Sequence, residues 1–488
     1  MDTIRIEYFN ETYIRVSSAD ASIEQELKDY FSFEVESSQY MKRKNPRLKY
    51  WDSKIYLYNR MSKFIYKGLL LRILEFADKR GYAVEYINDD DNDFHLDDAE
   101  ISEFVGDTKI NIRGEMVYLT DYQQTAASFA IKNHRALLLS PTSSGKSAII
   151  HTLIRWHLQF DRKVLLVVPS TLLVDQMYSD FNDYEAGFSD ENCQKLYGGK
   201  SKRVDRNVLI TTWQSIFTQS PEYLSQFDVV IGDEAHGLTS KEVSKFLDNM
   251  TQCKFRIGTT GTTNGSKIHQ LQLEGIFGRL LKVTTTNELM QRGVVSDMEI
   301  EMVLFEHSPL VCAKYKKSDY LEEVKYIASI DARNKYIADI IKNKTTTGTT
   351  LVLFNLTEHG RLIYDSLNDV PNVFYIDGSV ATEDRELIRT GVNQIEKSVV
   401  IASSGTMKQG VSIPSIDTII LVTPTKARIT ILQSLGRGLR LKDGKSKCMV
   451  YDLADDFDKR CFSKGHAKQR ARMYKSEKFK VNLRKVKL

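Results

Sequence analysis

Apolar residues recur along the chain with two different periods, and the changes of period divide it into parts. In residues 1–88, alternation predicts strands at 4–8, 54–58 and 82–87, and helical spacing predicts helices at 23–31 and 69–80, the second ending at Gly81. From about residue 105 to 300, and again from 301 to 456, short apolar runs alternate with amphipathic helices. This order is typical of parallel sheets that carry helices on both faces.

Five apolar runs in each of the two large parts predict the strands of its sheet. They are residues 136–139, 164–168, 208–211, 229–231 and 255–258 in the first part, and 350–354, 373–376, 399–402, 418–422 and 449–453 in the second. The acidic residues 89–104 predict a solvated linker. We therefore expect an α/β protein with a small N-terminal α/β module (1–88), two parallel-sheet domains in tandem (105–300 and 301–456) and a basic, helical tail (457–488).

Composition limits the class of protein. A chain of 488 residues is long enough for several domains, and a hydrophobic content of 42% is enough to give each of them a core. The sequence has no run of ~18 apolar residues, so we expect no membrane-spanning helix, and residues 1–7 lack a secretory apolar segment. The five cysteines are scattered, which argues against a zinc or iron–sulfur site. These features favour a cytoplasmic protein.

Two basic segments stand out against a net charge of only +4. Residues 457–488 hold twelve Lys/Arg and two acids, and residues 39–67 hold nine Lys/Arg and one acid, interleaved with aromatic residues. Lysine and arginine bind nucleic-acid phosphates, and exposed aromatic rings stack on unpaired bases. The alternative is a solvated charged face over core aromatics, which we favour for Ile55, Leu57 and part of the tyrosines. The candidate nucleic-acid contacts here are Lys42, Arg43, Lys44, Arg47 and Lys49.

A phosphate-binding loop is predicted at residues 140–147, spelled Ser-Pro-Thr-Ser-Ser-Gly-Lys-Ser. It lies between a run of strand length (136–139) and a run with helical spacing (148–154), which is the context that such a loop requires. Backbone N–H groups at Ser143, Ser144 and Gly145 would surround nucleotide phosphates at a helix N-terminus. Lys146 would contact the β- and γ-phosphates and Ser147 would bind Mg²⁺. An ordinary turn between strand and helix is the alternative.

A second motif, which is acidic, supports the prediction of a nucleotide-binding loop. The apolar residues 229–231 predict a buried strand that leads directly into Gly-Asp-Glu-Ala-His at 232–236. Asp233 can hold Mg²⁺ on a nucleotide, and Glu234 can polarise the water that attacks its γ-phosphate. A strand-end acidic turn would be the alternative, but the position after a phosphate loop and the spelling favour a nucleotide site.

Together these motifs resemble superfamily 2 helicases and translocases, and further motifs follow in the family's order. Residues 121–124 resemble the adenine-reading motif, 167–176 motif Ia, 209–214 the next strand-end motif, 404–414 motif V and 433–440 motif VI. Thr-Gly-Thr at 260–262 stands where the family has Ser-Ala-Thr. The resemblance implies nucleotide contacts at Gln123 and Gly410, nucleic-acid contacts at Thr171, Thr212 and Trp213, and coupling residues at His236, Thr260, Thr262 and Gln433.

The motif at residues 433–440 also has a chemical interpretation. Charge develops on the γ-phosphate oxygens during phosphoryl transfer, and guanidinium groups stabilise it. Arg437 and Arg440 are three residues apart, so on a helix they would share one face. They lie in the second predicted domain, whereas Lys146 and Asp233 lie in the first. Hydrolysis would then require the two domains to close on ATP, which can drive stepping along a nucleic acid.

Within this superfamily the layout is similar to the UvsW family of phage recombination helicases. The likeness rests on residues 45–54 (Asn-Pro-Arg-Leu-Lys-Tyr-Trp-Asp-Ser-Lys), on Arg333 and Asn334 at the start of the second domain, and on the compact basic tail. It implies two RecA-like domains, ATP and Mg²⁺ as cofactors, and a monomer. The implied activity is unwinding or branch migration of forked and junction DNA, with RNA–DNA hybrids as a further substrate, in phage recombination, repair and replication.

Three alternatives to a DNA helicase remain from the sequence. The Asp-Glu-Ala-His spelling also occurs in RNA helicases, although these normally carry further C-terminal modules. A translocase subunit of a restriction system would need nuclease or partner domains. A nucleic-acid-binding module with an inactive nucleotide fold would not need Lys146, Asp233, Glu234, Arg437 and Arg440 together.

Overall fold

The computed structural model describes residues 2–35, 38–88, 97–198, 203–238, 241–262, 266–315, 318–343, 348–392, 394–408, 416–425, 428–439, 447–457 and 461–488. The side chains at 40, 43, 241–243, 382, 386, 408, 428–430, 433 and 437 lie outside this description. The chain forms two compact units, Met1–Leu139 with Gly145–Val283 and Thr284–Leu488 with Ser140–Ser144. Among the described residues, no helix combines the length and the apolar composition needed to cross a bilayer.

The N-terminal module is a four-stranded sheet in the order β5-β2-β1-β6, packed against helices. Its elements are β1 Thr3–Tyr8, β2 Tyr13–Ser18, α1 Ala21–Tyr30, β3 Ser32–Glu34, α2 Ser38–Lys44, β4 Lys54–Tyr56, β5 Phe64–Tyr66, α3 Leu70–Arg80 and β6 Ala83–Asn88. Gly81 ends α3 with a φ of +72°, as its position predicted. The strand predicted at 54–58 is shorter and ends at Tyr56. Tyr58 lies beyond it, is buried, and donates from its hydroxyl to the Val16 carbonyl at 2.8 Å.

The first unit continues with a seven-stranded parallel sheet in the order β11-β12-β10-β13-β14-β9-β15. All five strands predicted here are present. The elements are α4 Asp98–Asp107, β7 Lys109–Ile112, β8 Glu115–Tyr118, α5 Asp121–Asn133, β9 Arg135–Leu139, α6 Lys146–Leu158, β10 Val164–Val168, α7 Thr171–Tyr184, α8 Phe188–Asn192, β11 Cys193–Leu196, β12 Val208–Thr212, α9 Trp213–Ile216, α10 Pro221–Leu224, β13 Val229–Gly232, α11 Lys241–Asn249, β14 Phe255–Thr260, α12 Lys267–Phe277 and β15 Leu280–Lys282.

The segment predicted as a linker is partly helical. Helix α4 begins at Asp98, with the Asp97 carboxylate accepting from the Ala99 N–H at 2.9 Å. Ile101 and Val105 lie four residues apart on one face of α4 and are buried in the core of the first large sheet. The acidic side chains on the outer face of α4 made the segment resemble a solvated linker, so the two apolar residues were not recognised as a helical stripe. The predicted boundary at 104/105 therefore falls inside a helix.

Ion pairs join the N-terminal module to the first large sheet. Arg135 opens β9, and its Nη2 lies 3.0 Å from Glu11 Oε2, which is also 3.1 Å from Lys67 Nζ. Burial acts to raise the pKa of Glu11, but the charges of Arg135 and Lys67 outweigh it and lower that pKa. On β14, the buried Arg256 donates to Thr12 Oγ1 at 2.8 Å. The module thus contacts the N-terminal ends of β9 and β14, the strands that lead to residues 140–147 and 260–262.

The second unit contains another seven-stranded parallel sheet, in the order β18-β19-β17-β20-β21-β16-β22. The five predicted strands are present, and the predicted fold class is confirmed. The elements are α13 Thr286–Gln291, β16 Asp297–Glu306, α14 Pro309–Tyr315, α15 Tyr320–Ala328, α16 Asp331–Asn343, β17 Gly348–Phe354, α17 Thr357–Asp365, β18 Val373–Ile376, α18 Thr382–Val392, β19 Lys397–Ser403, α19 Ser404–Lys408, β20 Ile416–Leu421, α20 Arg428–Gly438, β21 Lys447–Asp456, α21 Phe462–Ser476 and β22 Lys480–Lys487.

The boundary between the large domains lies earlier than the sequence predicted. The predicted division at 300/301 falls inside β16, which belongs to the second sheet, and the compact units divide at 283/284. The tail is helical only from Phe462 to Ser476, because residues 480–487 form β22 beside β16. Acidic side chains on β16 explain the pairing, through the pairs Lys480–Glu299 (3.4 Å), Arg484–Glu301 (3.5 Å) and Lys485–Glu306 (2.7 Å).

Two buried ion pairs hold the interior of the second unit. Arg470 of α21 contacts Asp452 of β21 with two nitrogens, Nη2 to Oδ1 at 2.6 Å and Nε to Oδ2 at 2.8 Å. The Tyr474 hydroxyl donates to the same carboxylate at 2.8 Å. Asp455 accepts from the buried Arg333 at 3.1 Å. Part of the basic charge of the tail is therefore structural.

Candidate nucleotide site

Residues 140–147 form the turn between β9 and α6. Ser140 Oγ and Ser144 Oγ are hydrogen-bonded at 2.6 Å, and Ser144 Oγ lies 2.7 Å from the Pro141 carbonyl oxygen, to which it donates. Ser143 and Gly145 have φ values of +66° and +78°. Helix α6 begins at Lys146 without a side-chain cap at Gly145. The N–H groups of its first turn therefore remain suited to binding an anion.

Two observations bear on the nucleotide site predicted at this loop. The Ser143 hydroxyl oxygen is buried and has no hydrogen-bond partner among the described residues. A Cβ at Gly145 would collide with the Gln123 side-chain amide, so the glycine allows that amide to lie beside the loop. Gln123 Oε1 accepts from the Thr120 N–H at 2.9 Å, which orients the amide. The turn predicted to bind phosphate and the amide predicted to read the base are thus adjacent.

The loop lysine and both predicted carboxylates come together. Lys146 Nζ lies 3.2 Å from Glu234 Oε1. Burial acts to raise the pKa of Glu234, but the charge of Lys146 and the contact with His236 outweigh it and hold that pKa well below its ordinary value. Burial raises the pKa of Asp233 against the opposing charge of Lys146. Glu234 has φ +49° and ψ +46°, an uncommon conformation for a residue other than glycine.

The predicted coupling residues of the first unit also form one network. His236 Nδ1 lies 3.0 Å from Thr260 Oγ1 and 3.3 Å from Glu234 Oε2. Thr260 Oγ1 donates its proton to the Thr262 carbonyl at 2.8 Å. It must therefore accept from His236, whose Nδ1 carries the proton. The Glu234 carboxylate thus lies beside the His236 ring, and hydrogen bonds run from that ring to residues 260–262.

Three site residues were missed by sequence reasoning. Thr259 Oγ1 donates to Asp233 Oδ1 at 2.6 Å, and His269 Nε2 lies 2.9 Å from the His236 carbonyl oxygen. Thr259 could have been found because it directly precedes the predicted motif on the strand beside β13. The third is Tyr184, whose hydroxyl lies 2.7 Å from Ser147 Oγ. Tyr184 lies far from Ser147 along the chain, so no short sequence motif indicates that the two side chains are in contact.

The predicted residues of the second unit are only partly described. Gln433 and Arg437 lie in α20 four residues apart, so their Cα atoms are on one face of that helix. The described part of this helix is Arg428–Gly438, so the helical face predicted to be shared by Arg437 and Arg440 stays a prediction. Gly410 and Arg440 lie outside the described residues, as do the side chains of Gln433 and Arg437.

The strand-end candidates for nucleic acid lie on neighbouring strands. Thr171 follows β10 and is exposed, and Thr212 ends β12, which pairs with β10 in parallel. The Thr212 hydroxyl is buried and lies 3.1 Å from Ser215 Oγ. Trp213 is partly buried and packs against Phe217. Thr171 is thus the most accessible of the three.

The N-terminal basic cluster is solvent-exposed at Lys44, Arg47 and Lys49, and Lys42 is partly buried. The side chain of Arg43 lies outside the described residues. Tyr50 is 90% exposed, and Lys49 Nζ lies 5.6 Å from its ring centroid. This part of the module offers positive charge beside an open aromatic face.

Comparisons with known proteins identify the family of the chain. Residues 3–88 match the family model "DNA helicase UvsW, N-terminal", residues 116–265 match "Type III restriction enzyme, res subunit", and residues 332–442 match "Helicase conserved C-terminal domain". The chain is 32% identical to the ATP-dependent DNA helicase uvsW of Enterobacteria phage T4 over 463 residues, which are 93% of this chain and 90% of that protein. The chain belongs to the UvsW family of DNA helicases.

Other similarities are consistent with this placement. The crystal structure of T4 UvsW aligns over 100% of both chains, with 28% identity and a TM-score of 0.52. The DNA 3′-5′ translocase XPB2 of Sulfurisphaera tokodaii is 22% identical over 67% of this chain and 80% of its own length. The predicted resemblance to superfamily 2 and UvsW is confirmed. This UvsW-family member is an ATP-dependent helicase that acts on DNA, and the RNA-helicase alternative is not favoured.

Proposed function

We propose that this UvsW-family helicase uses ATP and Mg²⁺ to unwind and branch-migrate forked and junction DNA in recombination, repair and replication. One observation supports this most. Nucleotide residues follow β9 and β13, coupling residues end β14, and the nucleic-acid candidates follow β10 and β12. Parallel strands end at one edge of a sheet, so ATP and DNA would be bound at neighbouring positions of a single edge.

The residues of the first unit suit ATP hydrolysis. Ser143, Ser144 and Gly145 would surround the phosphates, Lys146 would contact the terminal ones, and Gln123 would read the base. Ser147 and Asp233 would hold Mg²⁺, which neutralises phosphate charge when it is bound with the nucleotide. Glu234 is ionised at neutral pH because its pKa is lowered, so its carboxylate can orient water and accept a proton. Arg437 and Arg440 remain the residues predicted to stabilise the γ-phosphate.

The hydrogen bonds of the first unit suggest how hydrolysis would affect DNA. A change in charge around Glu234 would be felt by His236 and then by Thr260 and Thr262, through the contacts described above. Gln433 remains a predicted coupling residue of the second unit. DNA would be contacted by Thr171 at the sheet edge and by the basic cluster of the N-terminal module. We expect a monomer to be sufficient for activity.

A panel of nucleic acids tests this proposal. ATPase stimulation and strand separation would be measured on a fork, a four-way junction, an RNA–DNA hybrid, a linear DNA duplex and a fork made of RNA. We expect the branched DNA substrates to stimulate ATP hydrolysis most and to be remodelled fastest. Greater stimulation by the RNA fork, or equal activity on the linear duplex, would contradict the proposed substrate.

The basic cluster is expected to contact DNA phosphates. The double variant Arg47→Ala/Lys49→Ala should weaken DNA binding and reduce the slope of log K against log salt by about 1.8 if each side chain contacts one phosphate. Binding would be measured by fluorescence anisotropy between about 50 and 200 mM salt, a range over which binding through phosphate contacts weakens strongly. The matched control is Lys79→Ala/Lys335→Ala, which removes two exposed charges elsewhere. The same slope for both double variants would exclude the cluster as a DNA contact.

A further inference from the structure

The last residue of α7 contacts the helix that follows the phosphate loop. The Tyr184 hydroxyl lies 2.7 Å from Ser147 Oγ, the oxygen predicted to bind Mg²⁺. Ser147 is the second residue of α6, so this hydrogen bond reaches the first turn of the helix. Neither the motif nor the family matches assign a role to this tyrosine.

The Tyr184 ring is held in place by aromatic packing. Its centroid lies 5.7 Å from the ring of His151, at an interplanar angle of 64°. His151 is four residues after Ser147 on α6, on the same face. The rings of Phe181 and Phe188 pack on His151 at centroid distances of 5.5 and 4.5 Å. The packing therefore positions the tyrosine oxygen relative to α6 itself.

The surroundings of Tyr184 keep it a neutral hydrogen-bonding group. Burial raises the pKa of its phenol, so the hydroxyl stays protonated at neutral pH. Burial, with the nearby charge of Arg155, lowers the pKa of His151 to about 3, so that ring is uncharged. Arg155 is paired with Glu185 at 3.2 Å. The contact between Tyr184 and Ser147 is therefore one between two neutral hydroxyl groups.

The direction of the hydrogen bond between Ser147 and Tyr184 determines how many lone pairs of the Ser147 oxygen can bind a metal ion. A serine hydroxyl has one proton and two lone pairs, and only a lone pair can bind a metal ion. If Ser147 donates its proton to the Tyr184 oxygen, both of its lone pairs face away from the tyrosine. Groups that hydrogen-bond to a metal ligand fix its orientation and raise its basicity.

We propose that Tyr184 is a positioning residue for the magnesium–nucleotide site: it accepts the Ser147 proton and so orients the Ser147 oxygen for Mg²⁺. This inference rests on the proposed function, because it assumes that Ser147 binds the metal. It adds to that function a residue from α7, outside the phosphate loop and outside the helix that follows it.

The test is the Mg²⁺ dependence of nucleotide binding in Tyr184→Phe, which removes the hydroxyl and keeps the ring. Binding of a fluorescent ADP derivative to the full chain would be measured across a Mg²⁺ titration and in EDTA. We expect the half-saturating Mg²⁺ concentration to rise at least tenfold, the lower limit for the loss of such a partner. Binding in EDTA and the melting temperature should stay unchanged, because neither depends on the orientation of Ser147.

Tyr178→Phe is the matched control. Tyr178 lies on the same helix, and its hydroxyl donates to Asp190 Oδ1 at 2.7 Å, away from Ser147. It should leave the Mg²⁺ titration unchanged. An unchanged titration in Tyr184→Phe, or an equal shift in both variants, would overturn the proposal. A lowered melting temperature in Tyr184→Phe together with weaker binding in EDTA would also overturn it, since that result indicates a structural role.

Ser147→Ala separates this inference from the function on which it rests. If Ser147→Ala raises the half-saturating Mg²⁺ concentration and Tyr184→Phe does not, only the role of Tyr184 fails. If neither variant changes it, the proposed metal site at Ser147 fails as well. In the Ser147→Ala background we expect Tyr184→Phe to have no further effect, because the hydroxyl through which it acts is gone.

Discussion

Lys146→Ala is expected to lower the rate of ATP hydrolysis by about 10²–10³-fold, the usual effect of removing one group that stabilises transition-state charge. Lys146 Nζ lies 3.2 Å from Glu234 Oε1 and is the cation that offsets the buried carboxylates of Asp233 and Glu234. Its removal deletes the proposed phosphate contact and leaves the carboxylates of Asp233 and Glu234 without the neighbouring cation. DNA-stimulated ATPase measurements give the effect, and DNA binding without nucleotide should stay close to wild type.

The pH profile of the residual activity provides a second readout for Lys146→Ala. In the wild type, burial would raise the pKa of Glu234, but Lys146 and His236 hold it low, so Glu234 is ionised throughout the neutral range. Without the lysine that pKa rises, and the acidic limb of the rate profile should move to higher pH. Lys132→Ala is the control, because Lys132 pairs with Asp98 at the surface. Turnover within tenfold of wild type would contradict the assigned role.

Asp452→Ala is expected to destabilise the second unit by about 3–5 kcal/mol, the range measured when one partner of a buried ion pair is removed. The substitution leaves the Arg470 guanidinium buried without the carboxylate that contacts it through two nitrogens, and it also removes the acceptor of the Tyr474 hydroxyl. Denaturant unfolding of the full chain would report the change in the transition that belongs to this unit.

Lys485→Ala is the comparison for Asp452→Ala. Lys485 also forms an ion pair, with Glu306 at 2.7 Å, but its side chain is 60% exposed, and such solvent-screened pairs contribute little to stability. The double variant Asp452→Ala/Arg470→Met should recover much of the lost stability, because no unpaired charge remains. A loss below about 1 kcal/mol in Asp452→Ala would show that Arg470 finds another partner or water.

The structural contacts of Arg470, Tyr474 and β22 mean that deleting the residues after 457 would not test DNA binding alone. The deletion removes α21, with Arg470 and Tyr474, and β22, which pairs with β16 over eight residues. Loss of DNA binding in such a variant would first reflect unfolding of the second unit. Single substitutions at exposed residues of the tail are the better measure of phosphate contacts.

The sequence predicts most reliably where structure is local. The strand at 164–168 has the predicted bounds because all five residues are buried, so an unbroken apolar run marks it. The residues proposed to surround the nucleotide lie close together for a related reason. Lys146, Asp233 and Thr260 stand at strand ends or helix starts, where a short motif fixes both the backbone and the chemistry.

Features that depend on distant parts of the chain escape such reasoning. β16 carries Glu299 and Glu301 on one face, and these charges make its alternating apolar residues hard to recognise as a strand in the sequence. Their partners, Lys480 and Arg484, lie far along the chain on β22. Tyr184 reaches Ser147 only because α7 packs beside α6. The end of α20 at Gly438 depends in part on a contact from elsewhere, since Ser296 donates through its N–H and its hydroxyl to the Leu439 carbonyl, at 2.9 and 3.0 Å.

The position of β16 between β21 and β22 has a consequence for biosynthesis. Both neighbours of this strand follow it by more than a hundred residues, and β22 ends at Lys487. At translation rates of about 5–20 residues per second, β16 leaves the ribosome roughly 10–35 s before its second neighbour is complete. Both edges of β16 are open to pairing with other nascent chains until β21 emerges, and the edge that will pair with β22 stays open for the whole interval. The acidic face of β16 acts in this period as well, because like charges keep two copies of the strand apart until the basic β22 emerges.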